Sequence, residues 1–483
     1  MVFLWKNKNS IIGSVYLTFA AFCYMFYIGK YVFSPAGILV LLFWYIASKN
    51  LQTKYFLLIG LPLFSLVALV ASFGVVSSLK INLLLVIFVT TFLFAPFVLE
   101  KLLVPKNFNF VYTLVFPSLF TIFDFLIYKL NPYGSWTALA YSQYDFSFIS
   151  IWASIFGIWG ISFMISWTAS VLCWLYINKQ KINFKKFNKN LQYLTLYLVI
   201  ISSLFTFSLV QSFSKNDVES GKKVKISAIS VNDTIYGYND EIMDKLFEET
   251  EKSAKNGIKI ISWAEANGLV TEENLEKYLQ KSSQIAKKYE LYFFPTFWVK
   301  SSTKLTKNQV FGFNSKGEQI LEYNKNQPLP NEKIFRGDGK IPVVDTSYGK
   351  IAVAICFDND HPELIRQTSK NQVDILLSPS RDWKQINPKH SYIISFRSIE
   401  NGLITIKATN FGDSVIWDKK GKVIAQNKFT SENYEMRVLE STIKVERDKT
   451  LYSKIGDSVI WLSCFLVFIF TILRLTNQKF ILN

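Results

Sequence analysis

Long apolar segments are the feature that most constrains what this chain can fold into. Seven stretches before residue 214 and one near the end of the chain are apolar over about the length that a helix needs to cross a bilayer. They cover residues 11–28, 35–48, 55–77, 81–99, 110–128, 146–177, 191–213 and 455–475. The sequence therefore predicts a polytopic α-helical membrane domain over residues 1–213, and a transmembrane helix with a short tail over residues 455–483.

Positive charges between these segments predict how the chain is oriented. They concentrate in alternate loops, and the opposite loops carry only Lys30, Lys80 and Lys129. The concentrated group comprises Lys6, Lys8, Lys49, Lys54, Lys101, Lys106, Lys179, Lys181, Lys185, Lys186, Lys189, Arg474 and Lys479. Loops rich in Lys and Arg stay in the cytoplasm, so both termini are predicted to be cytoplasmic. Seven spans from an inside start then place residues 214–454 on the extracytoplasmic side.

Overall composition excludes several other classes of protein. Half of the 483 residues are hydrophobic and the mean hydropathy is +0.21, which is too apolar for an ordinary soluble protein of this size. The net charge of +17 lies largely in clusters between apolar segments, and no basic-aromatic motif for nucleic acid is present. Four cysteines form no disulfide framework or CxxC pair. Only two histidines occur, which excludes a histidine-rich metal site.

Residues 214–454 have the alternating pattern of an α/β domain. Apolar strand-like runs cover residues 224–231, 258–263, 291–297, 351–355, 373–378 and 403–408. Helical patterns cover residues 241–255, 272–289, 362–369 and 388–400, and hairpin turns are predicted at 314–317 and 419–421. Strands that alternate with helices indicate layered sheets with helices outside them.

Within this block, one cysteine follows a buried strand directly. Residues 351–355 are apolar and mostly β-branched, Cys356 ends the run, and Pro362 suits the first turn of a helix. Ligands of α/β sheets bind at the carboxyl ends of strands, and a helix N-terminus favours a thiolate. An arbitrary buried cysteine is more often a small core residue. A lone cysteine in an exported domain is a liability unless it is used, however, and this favours a functional thiol.

Two kinds of partner are available to activate Cys356. His361 and His390 have no distinct signature, and we interpret both as structural. Glu265 follows an apolar strand directly and is therefore predicted to lie at the same sheet edge as Cys356. Lys325 also follows a strand, although alone it is indistinguishable from a solvated lysine in a loop.

The three residues together carry a resemblance. Glu265 in WAEAN, Lys325 in YNKNQPLPNE and Cys356 in AICFDNDHPE, in that order on an α/β block, resemble the nitrilase, or carbon–nitrogen hydrolase, superfamily. Seven spans before this block and one after it resemble the apolipoprotein N-acyltransferase family. Six further motifs look like that family's: NPYGSW from residue 131, YSQ from 141, FGIWGIS from 156, SPSRDW from 378, RSIEN from 397 and ATNFG from 408. His390 lies among the later ones.

This resemblance implies a fold and an activity. The fold would be a polytopic α-helical membrane domain plus an extracytoplasmic α/β nitrilase-like domain, an αββα sandwich, over residues 214–454. The enzyme would move a fatty acyl chain from a phospholipid, through a thioester on Cys356, to the amine of a diacylglyceryl-cysteine lipoprotein. Glu265 would be the general base, and Lys325 would stabilise the oxyanion. The resemblance implies no metal or diffusible cofactor, and a location in the bacterial inner membrane.

Auxiliary residues follow from the same resemblance, with departures. Glu332, Phe357 and Asp358 would support the site or bind substrate, although the family usually has Tyr-Glu where Phe357 and Asp358 stand. The segment from the lysine to the second glutamate is one residue shorter than usual. Tyr236 or Tyr238 stands where the family has a tryptophan. Two alternatives stay open: a membrane-bound amidase or acyltransferase with another acceptor, and a weakly active scaffold.

Overall fold

The chain divides into two compact units. The helical unit comprises Met1–Asn131, Trp136–Lys215 and Ile455–Asn483, and the α/β unit comprises Pro132–Ser135 and Asn216–Lys454. The computed structural model of the protein describes residues 8–29, 32–76, 78–105, 107–180, 188–214, 221–231, 240–302, 304–430 and 436–482. The two tyrosines that follow the first predicted strand, Tyr236 and Tyr238, lie outside the described residues.

Long apolar helices build the helical unit. They are α1 Lys8–Ile28, α2 Ser34–Asn50, α3 Thr53–Ala71, α4 Leu79–Leu103, α5 Val115–Leu130, the short α6 Ser147–Ser150, α7 Ala153–Asn178, α8 Lys189–Phe213 and, late in the chain, α15 Ser458–Leu482. Among the described residues, seven helices are long and apolar enough to span a membrane: α1, α3, α4, α5 with the turn before it, α7, α8 and α15. The remaining predicted span, α2, has 17 residues. The predicted polytopic helical domain is confirmed.

An aromatic cluster fills the core of the helical unit. The ring of Trp44 on α2 stacks on Phe64 at a centroid distance of 4.1 Å and on Phe97 at 4.8 Å. The Lys49 ammonium bonds the fully buried Glu100 carboxylate at 2.6 Å, which pairs two charges that apolar surroundings would otherwise disfavour. Packing and paired charges therefore fix these helices together from inside.

Fourteen strands and six helices form the described part of the α/β unit. The strands are β1 Lys223–Val231, β2 Ile260–Trp263, β3 Gly268–Thr271, β4 Tyr292–Phe294, β5 Thr296–Lys300, β6 Lys307–Phe313, β7 Gln319–Asn324, β8 Val343–Thr346, β9 Gly349–Val353, β10 Ile375–Arg381, β11 Ile404–Asn410, β12 Ser414–Trp417, β13 Val423–Asn427 and β14 Met436–Lys444. The helices are α9 Asp240–Lys255, α10 Glu272–Lys288, α11 Pro362–Ile365, α12 Gln367–Lys370, α13 Lys389–Asn401 and α14 Leu451–Ile455.

These strands form two mixed sheets. The eight-stranded sheet has the order β14-β1-β2-β4-β6-β5-β3, with β7 paired to β6. The six-stranded sheet has the order β13-β12-β11-β10-β9-β8. Strands β1, β2 and β4 run parallel to one another, as do β9, β10 and β11. Parallel neighbours bring the carboxyl ends of several strands to one edge of each sheet.

Side-chain alternation along the strands explains how the sheets pack. On β1, Ile226 and Ala228 belong to a core shared with Ile351 and Val353 of the other sheet, whereas Ile229 belongs to a second core under α9 and α10. Successive side chains of a strand point to opposite faces, so one face of β1 meets the second sheet and the other meets helices. Helix α13 covers the outer face of the six-stranded sheet, against β11 and β12. The predicted αββα sandwich is confirmed.

Two details differ from the sequence-based expectations. The helix predicted over residues 362–369 is two separate short helices, α11 and α12. Cys356 does not precede a long helix, since it begins a five-residue 3-10 helix, Cys356–Asp360. The helix that follows Cys356 directly is therefore this short 3-10 segment, and the predicted helix start at Pro362 lies six residues further on.

Candidate active site

A buried glutamate follows the end of β2. Glu265 lies two residues beyond Trp263 and is 2% exposed. Its Oε1 accepts hydrogen bonds from the Asn308 Nδ2 at 2.7 Å and from the Lys325 Nζ at 2.8 Å. The carboxylate is thus held in one orientation by groups on β6 and at the end of β7.

Lys325 is the centre of a three-membered ion-pair set. It is 0% exposed, and its Nζ bonds both oxygens of Glu332 at 2.9 and 2.8 Å as well as Glu265. Burial disfavours the ammonium, but the charges of Glu265 and Glu332 outweigh burial, and the pKa of Lys325 lies well above its usual value. The structure brings together Glu265, Lys325 and Glu332, and it keeps the lysine charged.

Cys356 sits on a tight backbone turn after β9. Its φ of 47° lies in the left-handed region, which is uncommon for any residue with a side chain. Residues held in sparsely populated backbone conformations cluster at functional sites, because the surrounding structure must stabilise them. Asn359 provides part of this support, since its Nδ2 donates to the carbonyl of Cys356 at 3.0 Å and to the Ser378 hydroxyl at 3.0 Å.

The charges of Glu265 and Lys325 act on the pKa of the Cys356 thiol. Burial raises its pKa well above the usual value, and the negative charge of Glu265 adds to that effect. The positive charge of Lys325 and a hydrogen bond from the backbone N–H of Arg381 favour the thiolate and act in the opposite direction. Cys356 therefore rests as a protonated thiol, and it would need a base to take its proton before it could act as a nucleophile.

Asp358 joins the loop that begins at Cys356, the cysteine loop, to the loop that begins at Lys325, the lysine loop. Its Oδ2 accepts from the Ile355 N–H at 2.8 Å and from the Tyr323 hydroxyl at 2.7 Å, and its Oδ1 accepts from the Gln327 N–H at 2.7 Å. Burial raises the pKa of Asp358 to about 7, although these donors and the charge of Lys325 lower it. This carboxylate fixes the spacing between the two loops and does not bond Lys325 directly.

Phe357 follows Cys356 and is 7% exposed. Its ring packs edge-on against the ring of His361, with centroids 5.1 Å apart. It is therefore an apolar wall beside Cys356, where the family's usual residue, a tyrosine, would add a hydroxyl.

Sequence reasoning did not find several polar partners of this site. Asn308 orients Glu265, and Tyr323 binds Asp358, yet both residues lie in ordinary strand patterns. His390 was interpreted as structural, but a ring nitrogen of His390, a carboxylate oxygen of Asp382 and the sulfur of Cys356 lie within 4.8 Å of one another. The sequence signal that could have indicated Asp382 and His390 is the SPSRDW motif, which contains Asp382, followed by a histidine.

Such spacing is also typical of metal ligands. Here, however, the Lys407 Nζ already bonds the Asp382 Oδ2 at 2.5 Å. A metal ion at this point would have to compete with that ammonium for the same carboxylate. The arrangement therefore fits a buried ion-pair network better than a cation site.

Two family profiles match this chain. The profile of the apolipoprotein N-acyltransferase N-terminal domain matches residues 13–171, and that of carbon-nitrogen hydrolase matches residues 234–451. The first region lies in the helical unit, and the second contains every residue of the ion-pair set and the cysteine loop.

Several curated relatives are similar over most of their length. Apolipoprotein N-acyltransferase of Borreliella burgdorferi is 27% identical over 413 residues, which cover 75% of this chain and 75% of that protein. Apolipoprotein N-acyltransferase 1 of Treponema denticola is 23% identical and covers 73% of this chain and 76% of its own length. The Haemophilus influenzae apolipoprotein N-acyltransferase is 26% identical over 72% of this chain and 71% of its own.

Solved structures also align with part of the chain. An amidase from Nesterenkonia sp. AN1 in complex with butyramide is 15% identical, with a TM-score of 0.42, over 49% of this chain and 94% of that one. A branch 10 member of the nitrilase superfamily from Saccharomyces cerevisiae is 17% identical, with a TM-score of 0.40, over 48% and 93%. The two profile matches and the long curated relatives carry the assignment: this chain belongs to the apolipoprotein N-acyltransferase family, and its α/β unit to the carbon–nitrogen hydrolases.

Proposed function

We propose that this protein is an apolipoprotein N-acyltransferase, which transfers a fatty acyl chain from a phospholipid to the N-terminal amine of a lipoprotein's diacylglyceryl-cysteine. The observation that carries the proposal is the buried set Glu265–Lys325–Glu332 beside Cys356, in a chain that also has membrane-spanning helices. The names of the curated relatives support the same activity. Catalysis would be covalent, with Cys356 as the nucleophile.

Acylation of the enzyme is the first half-reaction. Glu265 accepts the proton of the Cys356 thiol as the sulfur attacks the ester carbonyl of the phospholipid. The C–O bond to the glycerol oxygen then breaks, and the protonated Glu265 returns its proton to that oxygen. A lysophospholipid leaves, and the acyl group remains on the sulfur as a thioester.

Charge develops on the carbonyl oxygen during this attack, and Lys325 is placed to stabilise it. The ammonium has lost its hydration through burial, so its positive charge acts more strongly than it would in water. The backbone N–H that follows Cys356 is the second donor that we propose. Glu332 fixes the position of Lys325 through two hydrogen bonds.

Transfer to the acceptor reverses these roles. The free amine of the diacylglyceryl-cysteine attacks the thioester carbonyl, and Glu265 takes a proton from the attacking nitrogen. The C–S bond breaks, and the sulfur recovers the proton from Glu265. The products are an N-acylated lipoprotein and the free thiol, so the chemistry is complete with no diffusible cofactor.

Both substrates are lipids, which accounts for the two-part chain. We propose that residues 1–213 form the membrane domain, residues 214–454 the catalytic domain, and residues 455–483 a last helix with a cytoplasmic tail. The lysine distribution supports a catalytic domain outside the cytoplasm, and the membrane that we propose is the bacterial inner membrane. A domain that is tethered at both ends to a bilayer can meet both an embedded donor and an embedded acceptor.

The test uses purified full-length protein in vesicles of phospholipid with a labelled acyl chain. A peptide that begins with diacylglyceryl-cysteine is added, and the label on its amine is measured by mass spectrometry. Parallel reactions contain a simple amine or water alone. We expect acylation of the lipopeptide. Release of free fatty acid or preferential acylation of the simple amine would instead indicate a membrane-bound amidase or another acyltransferase.

A further inference from the structure

A second charged cluster lies beneath the nucleophile, and the proposed chemistry does not use it. His390 on α13 is 3% exposed, and each ring nitrogen faces a carboxylate. Its Nδ1 is 2.6 Å from the Asp382 Oδ1, and its Nε2 is 3.2 Å from the Asp360 Oδ2. Asp360 closes the 3-10 helix that begins at Cys356.

This geometry sets the charge of the histidine. An ionised carboxylate only accepts hydrogen bonds, so an imidazolium, which donates from both ring nitrogens, satisfies both carboxylates. Burial and the nearby Lys407 disfavour that charge. The charges of Asp382 and Asp360 and their hydrogen bonds outweigh them and raise the pKa of His390.

The cluster balances its own charges. Lys407 bonds Asp382 and pulls the pKa of that carboxyl, together with His390, down to about 2, even though burial acts in the other direction. Two carboxylates, Asp382 and Asp360, thus stand against two cations, Lys407 and His390. Removing any one member leaves a net buried charge close to Cys356, where it is poorly screened.

We propose that His390 is a positioning residue for the nucleophile, whose imidazolium holds Asp382 and Asp360 and offsets their negative charge next to Cys356. The two groups are close to the thiol, since one ring nitrogen of His390 and one oxygen of Asp382 lie within 4.8 Å of the Cys356 sulfur. Asp382 by itself raises the pKa of that thiol. The inference rests on Cys356 being the nucleophile of the proposed function.

The position of Asp360 is itself fixed from a separate part of the chain. Its carbonyl oxygen accepts from the Ser135 N–H at 3.1 Å and from the Ser135 hydroxyl at 2.7 Å. Next to it, Gly134 has a φ of +61°, and a Cβ there would lie 3.1 Å from both the Cβ and the carbonyl oxygen of Asp360. Gly134 and Ser135 thus pack against the backbone of Asp360, the residue whose carboxylate faces His390.

The test measures the reactivity of the thiol directly. Full-length wild type and His390→Gln are treated with iodoacetamide from pH 6 to pH 10, and alkylation of the Cys356 peptide is followed by mass spectrometry. Among the described residues, the charged or titratable groups that we place around the pair are Asp382, Asp360, Lys407, Glu265, Lys325 and, next along α13, Lys389. Loss of the imidazolium should raise the apparent pKa of Cys356 further, which slows alkylation by about tenfold at each pH below that pKa.

A matched control is the same substitution at the other histidine. His361→Gln removes a ring that packs on Phe357, and it should leave the pH profile of alkylation unchanged. An unshifted profile in His390→Gln would show that His390 only supports the fold, and would overturn the proposal. No lipid takes part in this assay, so its outcome is independent of whether the acyltransferase activity is correct.

A second variant tests the sign of the effect. Asp360→Asn keeps the size of the side chain and removes one negative charge, so the cluster becomes net positive. The apparent pKa of Cys356 should then fall, and alkylation at pH 7 should become several-fold faster than in wild type. A slower reaction in Asp360→Asn would contradict the electrostatic role.

Discussion

Replacement of Glu332 by glutamine tests whether the second carboxylate supports Lys325. Glu332 accepts two hydrogen bonds from the Lys325 ammonium, and its Oε2 also accepts from the Leu329 N–H at 2.8 Å. A glutamine amide has one acceptor oxygen, so at least one of these bonds is lost, and an N–H₂ group faces a donor. A hydrogen bond to a charged group contributes roughly 1.5–3 kcal/mol.

About a fifth of the Glu332 side chain is exposed, so water compensates for part of this loss. We therefore expect the lower part of the range, which corresponds to a rate reduced about 10- to 30-fold. Lys325 remains paired with Glu265 and stays charged, so the defect lies in its position. Both half-reactions pass through a tetrahedral oxyanion, and both should slow by similar factors.

Single-turnover acylation of Cys356 by labelled phospholipid, followed by transfer to a lipopeptide, separates the two steps. Glu322→Gln is the matched control, because Glu322 is an exposed glutamate on β7 that accepts a hydrogen bond from the Gln309 side chain. That variant should stay within about twofold of wild type, as is usual for surface changes. Wild-type acylation in Glu332→Gln, or an equal loss in Glu322→Gln, would refute the reasoning.

Three further predictions follow from the site and the topology. Glu265→Ala and Lys325→Ala should each reduce the rate of Cys356 acylation by about 10²-fold or more. Because both residues serve one step, the double variant should lose much less than the product of the two single losses. Multiplicative losses in single-turnover assays would show that the two residues act in different steps. Asp358→Glu should lower the free energy of unfolding by about 1–3 kcal/mol in denaturant titrations. The carboxylate is fully buried and accepts three hydrogen bonds, so an added methylene would displace it from its donors. Unchanged stability would contradict this and show that the loop adjusts to the longer side chain. A reporter fused near Lys340 should lie outside the cytoplasm, and a cytoplasmic signal would contradict the lysine-based orientation.

Local sequence patterns predicted many of the strands and helices. The β-branched run before Cys356 and the apolar run before Glu265 are both strands that end close to the ion-pair set. They belong to different sheets, however, so the prediction that Glu265 lies at the same sheet edge as Cys356 was wrong. The two residues approach each other because the two sheets pack face to face. Strand periodicity is a strong local signal wherever one face or both faces are buried. Short strands such as β3 and β8, with four residues each, carry too few alternations to be recognised.

Local sequence patterns do not predict polar contacts between residues that are far apart in the chain. No local pattern indicates that the Asp358 carboxylate accepts hydrogen bonds from Ile355, Gln327 and Tyr323. His390 reaches Asp360 across 30 positions, and no local spacing indicates that contact. Pro362 correctly signals a helix start, but no local pattern indicates the 3-10 helix that precedes it.

The most direct test of the account is the detection of an acyl thioester on Cys356. Full-length protein is incubated with phospholipid that carries a labelled acyl chain, quenched in acid without an acceptor, and the Cys356 peptide is analysed by mass spectrometry before and after hydroxylamine. The account predicts a label on Cys356 that hydroxylamine removes, and that is lost in Cys356→Ala while the folded protein still accumulates. Normal lipopeptide acylation by Cys356→Ala, or a label on any other residue, would contradict it.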